Sequence, residues 1–336
     1  MKSESNDLNQ TIDEPITAVS IDSKKHQPAG LYLHGYGDFI FANLLRLFAL
    51  ALVLMLAAIG FFLYHAARPS IAASGLNFFI ENDWDPIKER FGIPAVLYGT
   101  LVSSFIAIML ASPLSIGVAL FITQIAPRSI STLLSSLVEM LAIIPSVVYG
   151  LWGIFVLAPW LRETVEPFLG HYLGFIPLFQ GPISGVGMLT AGLILAIMIT
   201  PTISSILREV FLAVPAAHKE SALALGFTRW EMMSYAILKS CKKGIAGAVI
   251  LGMGRALGET MAVTMVIGNK NEISASLFAP ATTMASIIAN EYSEATDDIH
   301  LAALIEVGLI LLAVTFIINT LARLLIFRNQ SRSHNK

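Results

Sequence analysis

The chain has 336 residues, of which 55% are hydrophobic and only 13% are charged. Soluble domains carry about 25% charged residues, so this composition excludes an ordinary soluble protein and indicates a chain embedded in a membrane. The formal net charge of -2 excludes no class of partner, because the distribution of charge matters more than its sum. The single Cys241 excludes an intrachain disulfide, and we expect it to fill a small apolar space near a helix start.

The chain begins with a polar segment that is followed by two apolar stretches. Residues 1–37 have mixed charges and no apolar periodicity, which predicts a flexible cytoplasmic tail. The charge-free run 47–64 approaches the roughly 20 residues that span a bilayer. It lies too far into the chain, behind too acidic a leader, to be a cleaved signal peptide. The charge-free stretch 92–127 is too long for one upright helix, so we predict a span from about Val96 and a cytoplasmic elbow near Ile122.

A third and a fourth span are predicted next. The third extends from about residue 132 to 158, and only Glu139 and Pro145 interrupt its apolar sequence. Segment 162–186 is rich in Gly and Pro and predicts an irregular loop. The fourth span is predicted at about 187–207. An intramembrane carboxylate such as Glu139 usually faces a bundle interior or a polar pathway.

The predicted fifth span, 244–268, contains Arg255 and Glu259. Insertion scales place the cost of each such charge at roughly 2.5–3.5 kcal/mol, and charges are usually kept only where they face a bundle interior or a polar pathway. Spacing of i, i+4 places both side chains on one helix face, where each can offset the other's charge. The arginine can also release its planar fork to a passing anion. We therefore hypothesise anion transport, and the rival interpretation is a structural ion pair that joins helices.

The sixth span is predicted at about 301–322 and contains Glu306. Like Glu139, this carboxylate would either counterbalance Arg255 across the bundle or contact the transport path directly. Segment 273–290 is also free of charge, but its many Ser, Thr and Ala residues make it only weakly hydrophobic.

The distribution of positive charge decides how many times the chain crosses the membrane. With six spans and a cytoplasmic N-terminus, 15 Lys and Arg residues lie in the cytoplasm and 5 lie outside, with Arg255 inside the membrane. This bias agrees with the positive-inside rule. A seventh span would place the positive charges of the C-terminus outside. We therefore interpret 273–290 as a short, partly buried external helix or a re-entrant piece, and both termini as cytoplasmic.

The predicted cytoplasmic loop 208–243 joins the fourth and fifth spans. Pro215 suits the start of one helix, and Gly226 suits a turn between two helices. Thr228 and Glu231 can form a capping box at the start of the second helix. Two short helices joined at a glycine form a rigid projection, which is suited to docking in a groove on another protein.

This loop resembles the EAA loop of ABC importer permeases. The matching positions are Glu220, Ser221, Ala222, Gly226 and Leu238. Ala236 stands where Ile is usual and Lys239 where Pro is usual. The resemblance therefore predicts the second helix but does not define where it ends. The resemblance implies that Glu220, Ala222 and Gly226 couple the permease to an ATPase. The plainer interpretation of Glu220 is a solvated helix residue.

Four further motifs are similar to those of the PstC family, the permease subunits of bacterial phosphate importers. They are Trp84-Asp85-Pro86, Tyr98-Gly99-Thr100, Arg255-Ala256-Leu257-Gly258-Glu259-Thr260 and Ala289-Asn290-Glu291. The resemblance covers about residues 38–326. It implies an all-α polytopic membrane protein with about six transmembrane helices and the type I importer (MetI-like) fold, with a permease domain at 38–326 and a cytoplasmic tail at 327–336. The substrate pathway is then expected to include Arg255, Glu259, Thr260, Glu139 and Glu306.

The resemblance also implies partners and a location in the bacterial cytoplasmic membrane. The partners are a PstA-like second permease, two copies of a PstB-like ATPase, a PstS-like phosphate-binding protein outside and a phosphate-signalling regulator. The sequence has no P-loop and no metal-binding cluster, so we expect no cofactor on this chain and ATP with Mg²⁺ on the ATPase. Closure of the ATPase dimer would act through the loop on the helices, in an alternating-access cycle.

Three alternatives stay open. The first is a permease for another oxyanion, such as phosphonate, sulfate or molybdate. The second is a membrane scaffold that reports phosphate status to a sensor kinase, although Arg255 and Glu259 favour transport. The third is a secondary transporter, against which the docking loop argues.

Overall fold

The computed structural model describes residues 34–331, which form thirteen α-helices and one short hairpin. The predicted tail 1–37 lies outside this range except for its last positions, where a helix has already begun, and 332–336 also lie outside. The chain divides into two compact units, of which the first ends at Ala57 and the second begins at Ala58. The helices are α1 His34–Ser74, α2 Pro94–Leu120, α3 Arg128–Ile143, α4 Ser146–Trp152, α5 Ala158–Trp160, α6 Glu166–Leu173, α7 Met188–Leu212, α8 Ala216–Ala224, α9 Arg229–Met232, α10 Lys242–Leu257, α11 Met261–Val266, α12 Met284–Glu291 and α13 Asp298–Ser331. The strands are β1 Trp84–Asp85 and β2 Arg90–Phe91.

Four of the described helical segments are long and apolar enough to cross a membrane. They are Gly37–Phe79, Pro94–Ile125, Met188–Leu212 and Asp298–Leu324. The bent pair Arg128–Ile143 and Ser146–Leu173 adds a fifth if it counts as one span. These helices confirm the predicted all-α polytopic membrane protein. The predicted number of about six additionally requires α10 and α11, which are interrupted and do not qualify as one apolar helix.

The first unit contains the opening part of α1. Its large apolar side chains, from Phe39 to Leu56, are all at least 45% exposed. A helix that is apolar on every side requires hydrocarbon or another protein around it. This segment therefore has the character of a membrane-embedded helix, as the run 47–64 predicts.

The predicted third span is wrong as a continuous helix. Pro145 has no amide hydrogen to continue α3, and it pushes Ile144 out of the helical region, to ψ 128°. The chain turns by 91° between α3 and the helical run 146–173. That run continues to Leu173, so it also replaces the first half of the irregular loop predicted at 162–186.

Helix α7 lies at the centre of the second unit. Ile194, Ile199 and Ile203 on α7 are fully buried. Helix α2 approaches closely at Gly192, where any side chain would collide with Ile106. Helix α10 packs on the same helix through Gly252, which faces Ile203. Glycines at these contacts allow helices to approach more closely than larger residues would.

A second, smaller apolar cluster joins the hairpin to the end of the chain. Phe78 and Phe91, on either side of the hairpin turn, pack with Met284 of α12 and Val307 of α13. The segment predicted at 273–290 is irregular up to the eight-residue helix α12, whose first turns are buried. A short helix with buried first turns therefore lies in this segment, as predicted, and the segment is not among the described helices that could span a membrane; its external or re-entrant position stays a prediction.

Candidate functional site

Arg255 lies where the fifth predicted span is interrupted. Helix α10 ends at Leu257, and the next helix begins only at Met261. Arg255 therefore occupies the last turn of α10, where a positive charge interacts favourably with the helix dipole. Its side chain is partly buried, and Nη1 donates a hydrogen bond to Oγ1 of Thr202 on α7 over 2.7 Å. The position thus combines a fixed positive charge with an interruption in the helix.

The predicted ion pair between Arg255 and Glu259 is absent from the described residues. The i, i+4 argument required one continuous helix, but Gly258 ends the helix before Glu259 is reached. Glu259 instead accepts a long hydrogen bond, 3.4 Å, from the amide of Ala262 in the first turn of α11. Both the sequence prediction of a shared helix face and the rival structural ion pair are wrong for this reason.

Thr260 lies in the same interruption. Its hydroxyl donates to the carbonyl of Gly258 over 3.3 Å, and its own carbonyl accepts from the hydroxyl of Thr264 over 2.8 Å. The first bond gives the carbonyl of Gly258 a partner at the point where the helix is interrupted, whereas the carbonyl of Thr260 also accepts from the amide of Thr264 over 2.9 Å. Arg255, Glu259 and Thr260 therefore lie together around one helix break, as their sequence positions require.

Glu139 does not balance Arg255. Its Oε1 lies 2.8 Å from Nη1 of Arg208, near the end of α7, and its side chain is about half exposed. Arg208 also contacts Glu209 over 2.8 Å. The prediction that Glu139 counterbalances Arg255 is wrong, because a nearer arginine takes the carboxylate. The contact joins α3 to α7 instead.

Glu306 is also remote from Arg255. It is only 4% exposed, and its Oε2 makes no hydrogen bond within the described part of the chain. Gly254, the neighbour of Arg255, faces Asn319 of α13. Thirteen residues of α13 separate Glu306 from Asn319, which is about 20 Å at a rise of 1.5 Å per residue. Counterbalance of Arg255 by Glu306 is therefore also excluded.

Two bent helical segments pack against each other next to this break. Tyr149 of α4 donates from its hydroxyl to the carbonyl of Leu141 over 2.8 Å, which fastens α4 to the end of α3 across the 91° bend. Gly150 faces Ala262 and Met265 of α11, where a larger residue would collide. The bend after α3 and the break before α11 are thus held in contact, an arrangement that the sequence did not predict.

The predicted coupling loop folds as two short helices. Helix α8 follows Pro215, and Gly226 adopts φ +88° at the turn. Thr228 and Glu231 form the predicted capping box at the start of α9. Hydrogen bonds from the Thr228 amide and hydroxyl lower the pKa of the Glu231 carboxyl. The helix–glycine–helix prediction is therefore confirmed in its geometry.

The loop leaves several large apolar side chains exposed. Leu225 is 78% exposed and Trp230 is 68% exposed. Glu220 is exposed, whereas Ala222 is buried against the core of the second unit. Exposed aromatic and aliphatic side chains beside charged residues are typical of a protein-docking surface.

The three motifs outside the helix break serve as structural contacts. Gly99 allows α2 to touch the carbonyl of Thr282, where a larger residue would collide, and Thr100 Oγ1 accepts from the amide of Met284 over 2.8 Å. The Trp84 indole donates to Glu291 over 2.8 Å, and that carboxylate also contacts His300 over 2.9 Å.

Glu166 is a buried carboxylate that sequence reasoning missed. It is 1% exposed and accepts from the amide of Gly185 over 3.0 Å. The sequence predicts an irregular loop at this position, where an acidic residue is ordinarily solvated. A signal in the sequence could have indicated this burial. The residues before Glu166 continue the helical run that begins with α4 and extends through α5 into α6.

Comparisons with known proteins agree with this geometry. Residues 111–330 match the family model described as binding-protein-dependent transport system inner membrane component. Phosphate transport system permease protein PstC of Mesorhizobium japonicum is 44% identical over 300 residues, which cover 88% of this chain and 92% of that protein. The PstC of Pasteurella multocida is 43% identical over 307 residues, covering 90% and 96%. A probable PstC of Methanocaldococcus jannaschii is 37% identical over 273 residues, covering 80% and 86%.

Two solved structures share the fold. An inward-facing structure of the MetNI methionine ABC transporter superposes with a TM-score of 0.50 at 15% identity, covering 73% of this chain and 99% of that chain. A bacterial ABC transporter involved in the import of the acidic polysaccharide alginate gives a TM-score of 0.50 at 18% identity, covering 86% and 98%. At these identities the likeness concerns the fold alone, and it confirms the predicted MetI-like architecture. By its relatives, the chain belongs to the binding-protein-dependent transport system inner membrane components and, among them, to the PstC family of phosphate transport system permease proteins.

Proposed function

We propose that this chain is one permease subunit of an ATP-driven importer that moves inorganic phosphate across the cytoplasmic membrane of a bacterium. The observation that carries the proposal is Arg255, a partly buried guanidinium at a helix break, in a chain whose relatives are named phosphate permeases. Broken helices in transporters typically mark the place where substrate is recognised. A guanidinium matches the geometry of phosphate oxygens, because its N–H groups form a planar fork.

ATP hydrolysis belongs to a separate subunit in this proposal. The sequence contains no P-loop, and the exposed surface of α8 and α9 provides a place for an ATPase to dock. Two PstB-like ATPases with ATP and Mg²⁺ would therefore act on a pair of permeases, this chain and a PstA-like partner. A PstS-like binding protein delivers phosphate from outside, and a signalling regulator joins the same assembly.

The orientation follows from charge. Both termini and the loop 208–243 lie in the cytoplasm, because this placement puts 15 of the Lys and Arg residues inside and 5 outside. The hairpin β1–β2 and helix α12 then lie on the outer side. Movement of the ATPases reaches Arg255 through α8, α9 and α10, and alternately exposes the helix break to the two sides.

Uptake of radiolabelled phosphate tests the substrate. The assembled four-subunit importer is reconstituted into liposomes with its binding protein and with ATP on the ATPase side. Uptake that depends on ATP and resists a tenfold excess of sulfate, molybdate or phosphonate supports the proposal. Transport of one of those anions in preference to phosphate contradicts it, and a complex without any ATP-dependent uptake contradicts the transport function itself.

A further inference from the structure

Thr202 of α7 makes the one hydrogen bond that Arg255 forms within the described residues. The Oγ1 atom of Thr202 accepts from Nη1 over 2.7 Å. Thr202 directly follows Pro201, which is buried inside α7. The contact therefore fixes the guanidinium against the most deeply buried helix of the second unit.

Thr202 differs from the neighbouring hydroxyl residues of the same helix. Thr200 donates to the carbonyl of Ala196 over 2.7 Å, and Ser204 donates to that of Pro201 over 3.2 Å. Such bonds to a preceding carbonyl are the common arrangement of hydroxyl side chains in helices. The Thr202 hydroxyl instead acts as an acceptor for a charged donor, a stronger class of hydrogen bond than one between neutral groups.

A neutral partner has a particular consequence for an anion pathway. A carboxylate at this position would neutralise Arg255 and compete with the substrate for its N–H groups. No carboxylate lies within 4.0 Å of Arg255 in the part of the chain that the structure describes. Guanidinium carries five N–H groups, and Thr202 engages one of its nitrogens. The other N–H groups are left to bind an anion. The contact with Thr202 also restricts the rotamers of the Arg255 side chain in advance, so an anion that binds loses less free energy in ordering it.

We propose that Thr202 is a positioning residue, which orients the Arg255 fork for an oxyanion without neutralising it. The inference rests on the proposed function, and it adds a residue on a different helix that acts through Arg255. It concerns the translocation step inside the membrane. Affinity for external phosphate is set mainly by the separate binding protein, so loss of Thr202 should lower the maximal uptake rate and leave the KM of uptake unchanged.

The test compares three substitutions at this position in the reconstituted importer. Thr202→Val keeps the shape and removes the acceptor, and it should lower the maximal rate per assembled complex by about 10- to 100-fold, the loss corresponding to one hydrogen bond to a charged group. Thr202→Ser keeps the oxygen and should retain uptake within about threefold. Thr202→Asp should abolish uptake in assembled complexes, because its carboxylate would pair with the guanidinium.

Thr200→Val is the matched control. Two residues correspond to a rotation of about 200° around a helix, so Thr200 lies on the side of α7 away from Thr202, where its carbonyl accepts from Ser115. This variant loses an equivalent hydroxyl and should transport normally. Rates are normalised to the amount of complex, so reduced insertion of any variant does not count as lost transport.

The outcomes separate this inference from the proposed function. Normal uptake by Thr202→Val or by Thr202→Asp overturns the inference, as does an equal loss in Thr202→Ser and Thr202→Val. If these variants transport normally while Arg255→Gln is inactive, the pathway arginine stands and Thr202 has no role. If Arg255→Gln also transports phosphate normally, the pathway itself is wrong.

Discussion

The ability of Arg255 to bind an anion depends on which side chains contact it in the folded protein. Glu259, Glu139 and Glu306 all lack an ion pair with it among the described residues, and a threonine hydroxyl contacts it instead. An arginine held by a neutral acceptor remains positive and able to bind, whereas an arginine paired with a carboxylate is already satisfied. The three acidic residues therefore have separate roles. Glu259 accepts a hydrogen bond at the start of α11, Glu139 pairs with Arg208, and Glu306 is buried on α13.

We predict that Arg255→Gln abolishes phosphate uptake without preventing assembly of the importer. Arg255→Lys should recover little of the uptake, because an ammonium is a point charge and lacks the planar fork. Since Arg255 has no ion-pair partner among the described residues, removing it strands no acidic partner within them, and membrane abundance should stay near that of the original protein. Radiolabelled uptake measured beside immunoblots of purified membranes checks both points. Normal uptake by fully assembled Arg255→Gln complexes would contradict the pathway hypothesis. The charge swap Arg255→Glu/Glu259→Arg should not restore transport.

Among the helices, the breaks and bends position the candidate site more than helix length does. Pro145 separates α3 from α4, and Gly258 separates α10 from α11. The two segments pack together through Gly150. A break exposes backbone groups that a continuous helix would satisfy, so it is tolerated in a membrane only where other residues compensate for them. Hydroxyl groups of Tyr149 and Thr260 provide such bonds here, to the carbonyls of Leu141 and Gly258.

The turn between α8 and α9 provides a prediction at this scale. Gly226 adopts φ +88°, and open space surrounds the position that a Cβ would occupy. A larger residue would therefore be destabilised by backbone strain at positive φ and not by a collision. Gly226→Val should cost about 1–3 kcal/mol in that conformation and tilt α9. We expect reduced ATP-coupled uptake with normal membrane insertion. Gly226→Asn should be milder, because asparagine tolerates positive φ.

The control for this experiment is Gly247→Ala in α10. Open space also surrounds this glycine, but its backbone is helical, so alanine should be accepted with coupling intact. The ratio of phosphate transported to ATP hydrolysed is the measurement. An unchanged ratio in Gly226→Val would exclude a coupling role for this turn.

For the whole molecule, the number of membrane crossings depends on the interrupted segment α10–α11. Four of the described helices qualify as spans, and the bent pair adds a fifth if it counts as one span. Five crossings would place the two ends of the chain on opposite sides, which disagrees with the positive charges near both ends. We therefore predict that α10–α11 forms a sixth, broken crossing that contains Arg255.

Cysteine labelling checks this topology. Ser331→Cys and Ser274→Cys are made separately in a Cys241→Ala background and exposed to a membrane-impermeant maleimide on intact spheroplasts. We expect Ser274→Cys to react from outside and Ser331→Cys to react only after lysis. Reaction of Ser331→Cys in intact spheroplasts would refute the six-crossing model. The background variant without any added cysteine shows the level of unspecific labelling.

Features that depend on local chemistry could be predicted from the sequence. Apolar runs predicted a helical membrane protein, and the Gly226 turn with the Thr228–Glu231 capping box predicted the coupling loop, because propensity and capping act over a few residues. The motif at 255–260 and the loop identified the family that the relatives confirm.

The partners of the charged residues, in contrast, depend on how the helices pack in three dimensions. Helical spacing predicted Arg255 with Glu259, but one glycine ended the helix, and Thr202, more than 50 positions earlier, supplied the contact. Glu139 likewise contacts Arg208, which lies on α7, a helix that packs against α3. Partners of this kind are chosen by helix packing, which depends on small residues such as Gly150 and Gly252 fitting against distant side chains. A pattern along the chain records the periodicity of each helix, but it does not contain the distance between two helices.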